Sequence, residues 1–136
     1  MRIDYEVDEN AGVYSPLPAG RYRVKVLEVE DGYSKAGDPK INMKLAVVDQ
    51  SDRWVYHTLT FIPKGQPGHG IGVHSLKCFG FSIDKSRVNF DSDDIVGKEA
   101  IADLVIDEYN GKRSNKVRQF DYIQDTKPAD NGEVPF

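Results

Sequence analysis

Cys78 is the single cysteine, so no intrachain disulfide framework exists to staple this fold. The chain also lacks any stretch of about 18 apolar residues and any apolar run at its N-terminus, the sequence marks of a membrane span or an export leader. These absences predict a soluble protein of a reducing cytoplasm, with no membrane partner. No internal repeat recurs at a period of roughly 20 to 50 residues, which sets aside solenoids and propellers. A chain of 136 residues can bury a core without metal or disulfide support, and one domain is expected.

The common catalytic signatures are also thin. Residues 65–72 are glycine-rich but lack the Gly-Lys-Ser/Thr ending and the strand-to-helix setting of a P-loop, so they read as a connector. His74 and Cys78 are four apart on an expected helix with His69 nearby, which offers two or three zinc ligands but no second pair to complete a set. A buried thiol and a surface imidazole account for them more simply. Asp93-Asp94 suggests a metal-dependent nuclease, yet no partner triad is visible, and adjacent carboxylates before a strand suit a cap or a solvated turn. No catalytic residue, metal or cofactor is expected. A hydrolase built on His69, His74, Cys78 and Asp93 is the weakest of the readings.

What is present begins with an uneven distribution of charge. The net charge of −4 argues at first against nucleic acid, but residues 1–10 carry −3 and residues 121–136 another −3, leaving +2 for residues 11–120. Acidic ends on a mildly basic body fit a polyanion binder whose tail competes for the same groove; an ordinary solvated surface offers a similar count.

The pattern along the chain is mostly that of strands. Residues 1–19 lack sustained periodicity and end in Ser15-Pro16-Leu17-Pro18-Ala19-Gly20, which reads as an N-terminal arm. From Arg21, Tyr22, Val24 and Val26 alternate with Arg21, Arg23 and Lys25, and the phase slips at Leu27 and Val29, the mark of a strand bent by a β-bulge. A turn-rich loop carrying Tyr33, Lys35 and Lys40 follows. Ile41, Met43, Leu45 and Val47 alternate with Asn42, Lys44 and Ala46 in a second strand. Residues 53–61 form a third, with Trp54, Tyr56, Thr58 and Thr60 on one face and Val55, His57, Leu59 and Phe61 on the other. Both faces are partly apolar, so the burial of Trp54 is left open.

Residues 63–72, with four glycines and two prolines, are expected to be irregular. Val73, Leu76, Phe79 and Ile83 then recur at roughly helical spacing, predicting one short helix near residues 72–80 closed by Gly80. A single turn is expected over residues 91–96. Ala100, Ala102, Leu104 and Ile106 mark a fourth strand; residues 109–114 form a loop tipped by Asn110-Gly111; residues 116–123 form a fifth strand. Five strands with a helix between the third and fourth predict an all-β fold, the five-stranded OB-fold barrel, which binds oligonucleotides on strands 2 and 3 and in loops 1-2 and 4-5. The expected layout is an arm over 1–19, the OB-fold domain over 20–123 and a flexible acidic tail over 124–136.

On that barrel the outer faces offer Arg21, Arg23, Lys25, Lys44, Trp54 and Tyr56, and the flanking loops add Tyr33, Lys35, Lys40, Tyr109, Lys112, Arg113 and Lys116, with Arg118 along strand five. Unpaired bases stack on flat side chains while cations take the phosphates, so Trp54 and Tyr56 are the candidate platforms and the basic residues the candidate phosphate partners. Basic alternation on strand one also fits a plain solvated face.

Leu17-Pro18-Ala19-Gly20-Arg21-Tyr22, Ser34-Lys35-Ala36-Gly37-Asp38-Pro39, and Tyr109-Asn110-Gly111-Lys112 before Asn115-Lys116-Val117 resemble a family of small phage-encoded proteins found among replication and recombination functions. The resemblance covers residues 17–120 and implies an OB-fold single-stranded DNA binder acting in the host bacterium's cytoplasm. At the other end, Val134-Pro135-Phe136 with Asp130 and Glu133 resembles the acidic tip of bacterial single-stranded DNA-binding proteins, which finish in Asp residues followed by Ile-Pro-Phe. As a chain end, this stretch reads as a ligand for replication or recombination proteins. The expected function is therefore sequence-independent coating of single-stranded DNA, with partners recruited by the tip. The rival is an OB-fold adaptor or virion-associated protein that binds only protein. Exposed edge strands and the arm leave room for a homo-oligomer.

Overall fold

The computed structural model describes residues 1–7, 16–50 and 53–123. Five strands, β1 (Gly20–Tyr33), β2 (Pro39–Val47), β3 (Trp54–Thr60), β4 (Glu99–Tyr109) and β5 (Lys112–Asp121), form one sheet in the order β3-β2-β1-β4-β5. Every pairing is antiparallel. One α-helix, α1 (His69–Cys78), and a 3-10 turn (Ser92–Ile95) lie between β3 and β4. Among the described residues the fold is therefore mostly β, with α1 between the third and fourth strands as expected.

β1 is long because it serves two partners. Residues 20–25 pair with β4, and residues 24–33 pair with β2. The slip read at Leu27 is a bulge: Val26 stands opposite Leu45 and Glu28 opposite Lys44, so Leu27 has no partner. The extra residue re-phases the strand, turning Val29 toward the core behind Val24 and Val26, where strict alternation would have turned it outward. β5 repeats the device, with its register shift facing Asp103 and Leu104, so Val117 and Phe120 are both buried though three residues apart.

The inward faces of the strands make the core. Val24, Val26, Leu45 and Leu104 are fully buried there, joined by Val55 and Leu59 of β3. One end is closed by Leu76 and Phe79 of the helical segment and by Ile95 of the 3-10 turn. Burying each such side chain contributes about 1.5–3 kcal/mol. The two sheet edges approach through side chains, with the His57 and Phe120 rings edge-on at 5.1 Å. Among the described residues no β3–β5 ladder closes the sheet, so the barrel expected from the sequence is not completed by backbone pairing.

Two boundaries differ most from the sequence reading, the β4–β5 turn and the start of α1. The β4–β5 turn is only Asn110-Gly111, with φ of 53° and 77°, the positive pair of a type I′ turn, so the six-residue loop shrinks to two and β5 starts at Lys112. α1 begins at His69 and takes in Gly70 and Gly72, which had been assigned to the irregular stretch. A Cβ at position 72 would lie 3.3 Å from the Thr60 carbonyl oxygen, so glycine there lets the helix sit close to β3. The helix ends as expected: the N–H groups of Gly80 and Phe81 donate to the carbonyls of Lys77 and Leu76. The expected turn over 91–96 is the 3-10 element, started by a capping box between Asp91 and Asp94.

Leu17 is buried against the core, and both of its backbone polar groups are held by one side chain. Asn115 accepts from the Leu17 N–H at 2.8 Å and donates to the Leu17 carbonyl at 2.9 Å. Replacing Asn115→Ala strands both backbone groups and is expected to lower stability by about 1–3 kcal/mol, read from urea unfolding. An unchanged midpoint would show that this clasp contributes nothing.

Candidate nucleic-acid interface

Residues directly opposite on an antiparallel pair share a face of the sheet, so the register alone lays out the outer surface. Lys25, Ala46 and Trp54 form one row, Glu28, Lys44 and Tyr56 the next, and Glu30, Asn42 and Thr58 a third. Val55 and Leu59 take the buried positions of β3, which turns Trp54 and Tyr56 outward, 50% and 69% exposed. The question left by a strand apolar on both faces is answered by its neighbour, since β2 presents its buried residues on the same side as Val55. The Lys44 ammonium lies 4.6 Å from the centre of the Trp54 ring, a cation–π contact that fixes both side chains on this surface.

The two aromatic loops lie at opposite ends of the sheet. Tyr33 ends β1 opposite Pro39, about eight residues or roughly 26 Å of strand beyond Lys25. Tyr109 lies past the other end of β1, five positions beyond Leu104, which pairs with Gly20. Both tyrosines are strongly exposed, at 73% and 76%. Lys35 projects from the tight turn that joins β1 to β2, where the Ser34 N–H donates to the Asp38 carbonyl at 2.8 Å. Lys112 and Arg113 flank the β4–β5 turn, and Lys116 follows on β5.

Three arginines of β1 and β5 behave differently from the lysines of β2. Arg21 is paired with Asp121 at 2.9 Å, Arg23 with Glu99, and Arg118 with Asp103. These three arginines belong to a lattice of ion pairs across β1, β4 and β5, the solvated face that their alternation also allowed. Exposed pairs of this kind contribute about 0–1 kcal/mol each to stability, but they offset the positive charge on that side. Lys25, Lys35, Lys40, Lys44, Lys112, Arg113 and Lys116 make no ion pair with another described residue. Glu28 and Glu30, which the sequence reading passed over, stand in the same rows as Lys44 and Asn42. The phase slip at Leu27 was the signal for them, because it moves Glu28 and Glu30 to the outer face. The surface is thus an aromatic and cationic patch on β2 and β3, bordered by carboxylates along the second half of β1.

A concavity of 330 Å³ lies on this face, lined by Glu28, Glu30, Asn42, Lys44 and Tyr56, and two others meet at Phe61, just past β3. One of 420 Å³ beside α1 is lined by Ile62, Leu76, Ile83 and Val88, with Lys64 and Arg87 at its rim. The other, 430 Å³, lies at the Tyr33 end and includes Phe61, Asn89 and Phe90. Residues 88–90 were not singled out from the sequence because they form no periodic element. The tail residues Asp130, Glu133, Val134, Pro135 and Phe136 lie outside the described residues.

His69, His74 and Cys78 are engaged in local bonding. The His69 Nδ1 donates to the Ile62 carbonyl at 2.8 Å, and the His74 Nε2 donates to the Phe120 carbonyl at 2.9 Å, with the Cys78 sulfur 3.4 Å from the same nitrogen. Burial, with the nearby Asp121 charge, pushes the Cys78 thiol up to about 12, so it is a poor nucleophile near neutrality. Among the described residues no group of three or more His, Cys, Asp or Glu is placed to hold a metal, and no helix is long and apolar enough to cross a membrane.

His57 and Asp121 link this region to pH. Burial, followed by the Lys116 charge, lowers the His57 pKa below its ordinary 6.5. Burial alone would raise the Asp121 carboxyl, but the Arg21 hydrogen bond, the Tyr122 N–H and the Arg21 and His74 charges outweigh it and hold the group low. Both folded values are depressed, so both contributions are present above the unfolded pKa and are lost as pH falls through the folded one. The urea midpoint is expected to drop between about pH 7 and pH 5 through His57, and the drop should shrink in His57→Phe, which keeps the ring against Phe120 without a proton to gain. A wild-type midpoint flat over that range would mean that the imidazole charges freely in place.

No curated protein matches the chain. A family model described as "Protein of unknown function (DUF669)" matches residues 3–134, nearly the whole sequence. The chain belongs to the DUF669 family.

Proposed function

We propose that this chain is a non-enzymatic single-stranded DNA-binding protein of the OB-fold type, coating DNA without sequence choice in phage-type replication or recombination. The observation that carries the reading is the outward cluster of Trp54, Tyr56 and Lys44 on β2 and β3, between two loops that each expose a tyrosine. Flat rings accept any base, and each stacked base contributes about 1–3 kcal/mol. The strand order, the helix between β3 and β4, and the meeting of the sheet edges at His57 and Phe120 support an OB-fold barrel. Its binding surface in this chain is the β2–β3 face, with Lys25, Lys35, Lys40, Lys112, Arg113 and Lys116 as further phosphate partners. Arg21, Arg23 and Arg118 take a smaller part, since each already holds a carboxylate. Residues 130–136, acidic and then apolar, recruit replication or recombination proteins.

The second reading, an adaptor that binds only protein, draws on the apolar concavity beside α1 and on the exposed Ile71 and Ile83. It has no use for the exposed rings of β3 or for the Lys44 ammonium over Trp54.

Titration with oligo-dT separates the two. Trp54 is the only tryptophan, so its emission reports the face directly. Binding is expected to quench it, with log affinity falling by about 0.7 per log unit of salt for each phosphate neutralised. No response at low salt would discard nucleic-acid binding. With a labelled oligonucleotide, Trp54→Ala and Tyr56→Ala should each weaken binding by at least about 1 kcal/mol. Deletion of residues 130–136 should abolish partner pull-down while leaving DNA affinity equal or higher; a loss of DNA affinity would contradict a separate role for the tail.

A further inference from the structure

The 430 Å³ concavity at the end of the β1–β2–β3 ladder has the lining of a site for one flat, polar-edged ligand. We propose that it holds a single unstacked nucleobase of the bound strand and favours bases whose Watson–Crick edge sets an exocyclic amino group beside an unprotonated ring nitrogen, cytosine and adenine, over thymine. This inference rests on the single-stranded DNA reading and extends it from stacking to the recognition of a base edge.

The location suits a strand already stacked on β3. Along β3, Thr60 is four residues past Tyr56, about 13 Å, and it pairs with Lys40. The next residue, Phe61, donates its N–H to the Pro39 carbonyl at 2.9 Å, so the pocket begins where the ladder stops. Gly32, Lys40 and Thr60 form the last outward row, whereas Asp31, Tyr33, Pro39 and Ile41 belong to the inward rows, so a DNA strand crossing Trp54 and Tyr56 reaches the pocket by turning over the end of the sheet at Lys40.

The lining supplies each part of a base site. Phe61 and Phe90 are half-buried and packed edge-on at 5.8 Å, and Phe90 is backed by Phe81 at 4.7 Å, which gives a fixed aromatic floor. Tyr33, largely exposed, stands at the mouth as a second ring. Lys40 lies on the rim for the adjoining phosphate, and its stem runs against Gly32, where a Cβ would come within 3.3 Å of the lysine Cε. A cavity of this size falls within the range of about 300–1,000 Å³ that small ligands occupy.

The polar groups set the preference. Asp31 and Asn89 both line the pocket. The other carboxylate there, Asp91, is committed to the Asp93 N–H at 3.0 Å and caps the 3-10 turn. An ionised carboxylate only accepts hydrogen bonds, so Asp31 attracts the amino group of cytosine or adenine, whereas thymine meets it with one N3–H flanked by two carbonyl oxygens that it repels. Asn89 offers a donor beside an acceptor, the pattern that matches an amino group next to a ring nitrogen. Stacking elsewhere on the face stays indifferent to sequence, so the result is a bias in base composition.

The test compares oligo-dC with oligo-dT of equal length on the full chain, following Trp54 emission. The wild type is expected to bind oligo-dC about fivefold more tightly or better, the lower end of what a good base contact discriminates. Asp31→Ala and Asn89→Ala, both at exposed positions, should bring the ratio to about one, whatever they do to the shared affinity. Equal affinities in the wild type, or an unchanged ratio in both variants, would overturn the pocket and leave DNA binding standing. Failure to bind either oligonucleotide would overturn the pocket and the binding function together.

Discussion

One unpaired residue, Leu27, allows a single strand to face the core along its whole length while changing partners. β1 pairs with β4 through residues 20–25 and with β2 through residues 24–33, and the bulge falls just past the shared stretch. Without it, the inward set would end at Val26, Glu28 would enter an apolar interior, and the strand would part from β2 or bury a charge. The bulge also adds the local bend that carries the sheet around toward its own far edge. The layout of the candidate surface depends on this phase: it sets which residues share a row with Lys44, and therefore what surrounds Trp54 and Tyr56.

The strands, the bulge and the hairpin were legible because each rests on local chemistry. Alternation marks a half-buried strand, a slip in alternation marks an inserted residue, and Asn110-Gly111 supplies the two positive φ values of a tight hairpin. The helix start was not legible. Glycine normally weakens a helix, and here its value is the close approach of Gly72 to Thr60, a contact that exists only after β3 and α1 have packed. The orientation of β3 was undecided for the same reason, since Trp54 and Val55 are both apolar and only the register with β2 separates them. The ion pairs were furthest out of reach: Arg21 meets Asp121 a hundred positions away, and Arg23 meets Glu99 across 76. A sequence pattern shows that a residue is basic, but not whether a partner already offsets its charge.

That difference reshapes the electrostatics of the candidate surface. A count over residues 11–120 gives a mildly positive body, but Arg21, Arg23 and Arg118 contribute little net field because each sits beside a carboxylate. Charges further apart than about 8–10 Å are screened at ordinary salt, so what a bound phosphate senses is its own row and the rows next to it. Around Trp54 those rows hold Lys25 and Lys44; toward the β1–β2 loop they hold Glu28 and Glu30 on one strand and Lys40 on the next.

On the proposed reading, a polyanion would therefore keep to the β2–β3 side of the face. There Lys44 and Lys40 lie on β2, and Trp54 and Tyr56 offer stacking without further charge. Glu28 and Glu30 would repel a backbone that drifted onto β1, so carboxylates on a DNA-binding face act as a wall that fixes the path. Affinity on such a surface comes more from ring contact than from counterion release, because few unpaired cations lie within reach of any one phosphate. An acidic average over the whole chain is then no obstacle. The proposed binding energy would then sit in a small aromatic patch whose immediate surroundings are cationic on one side and anionic on the other, and the bulge at Leu27 decides which side is which.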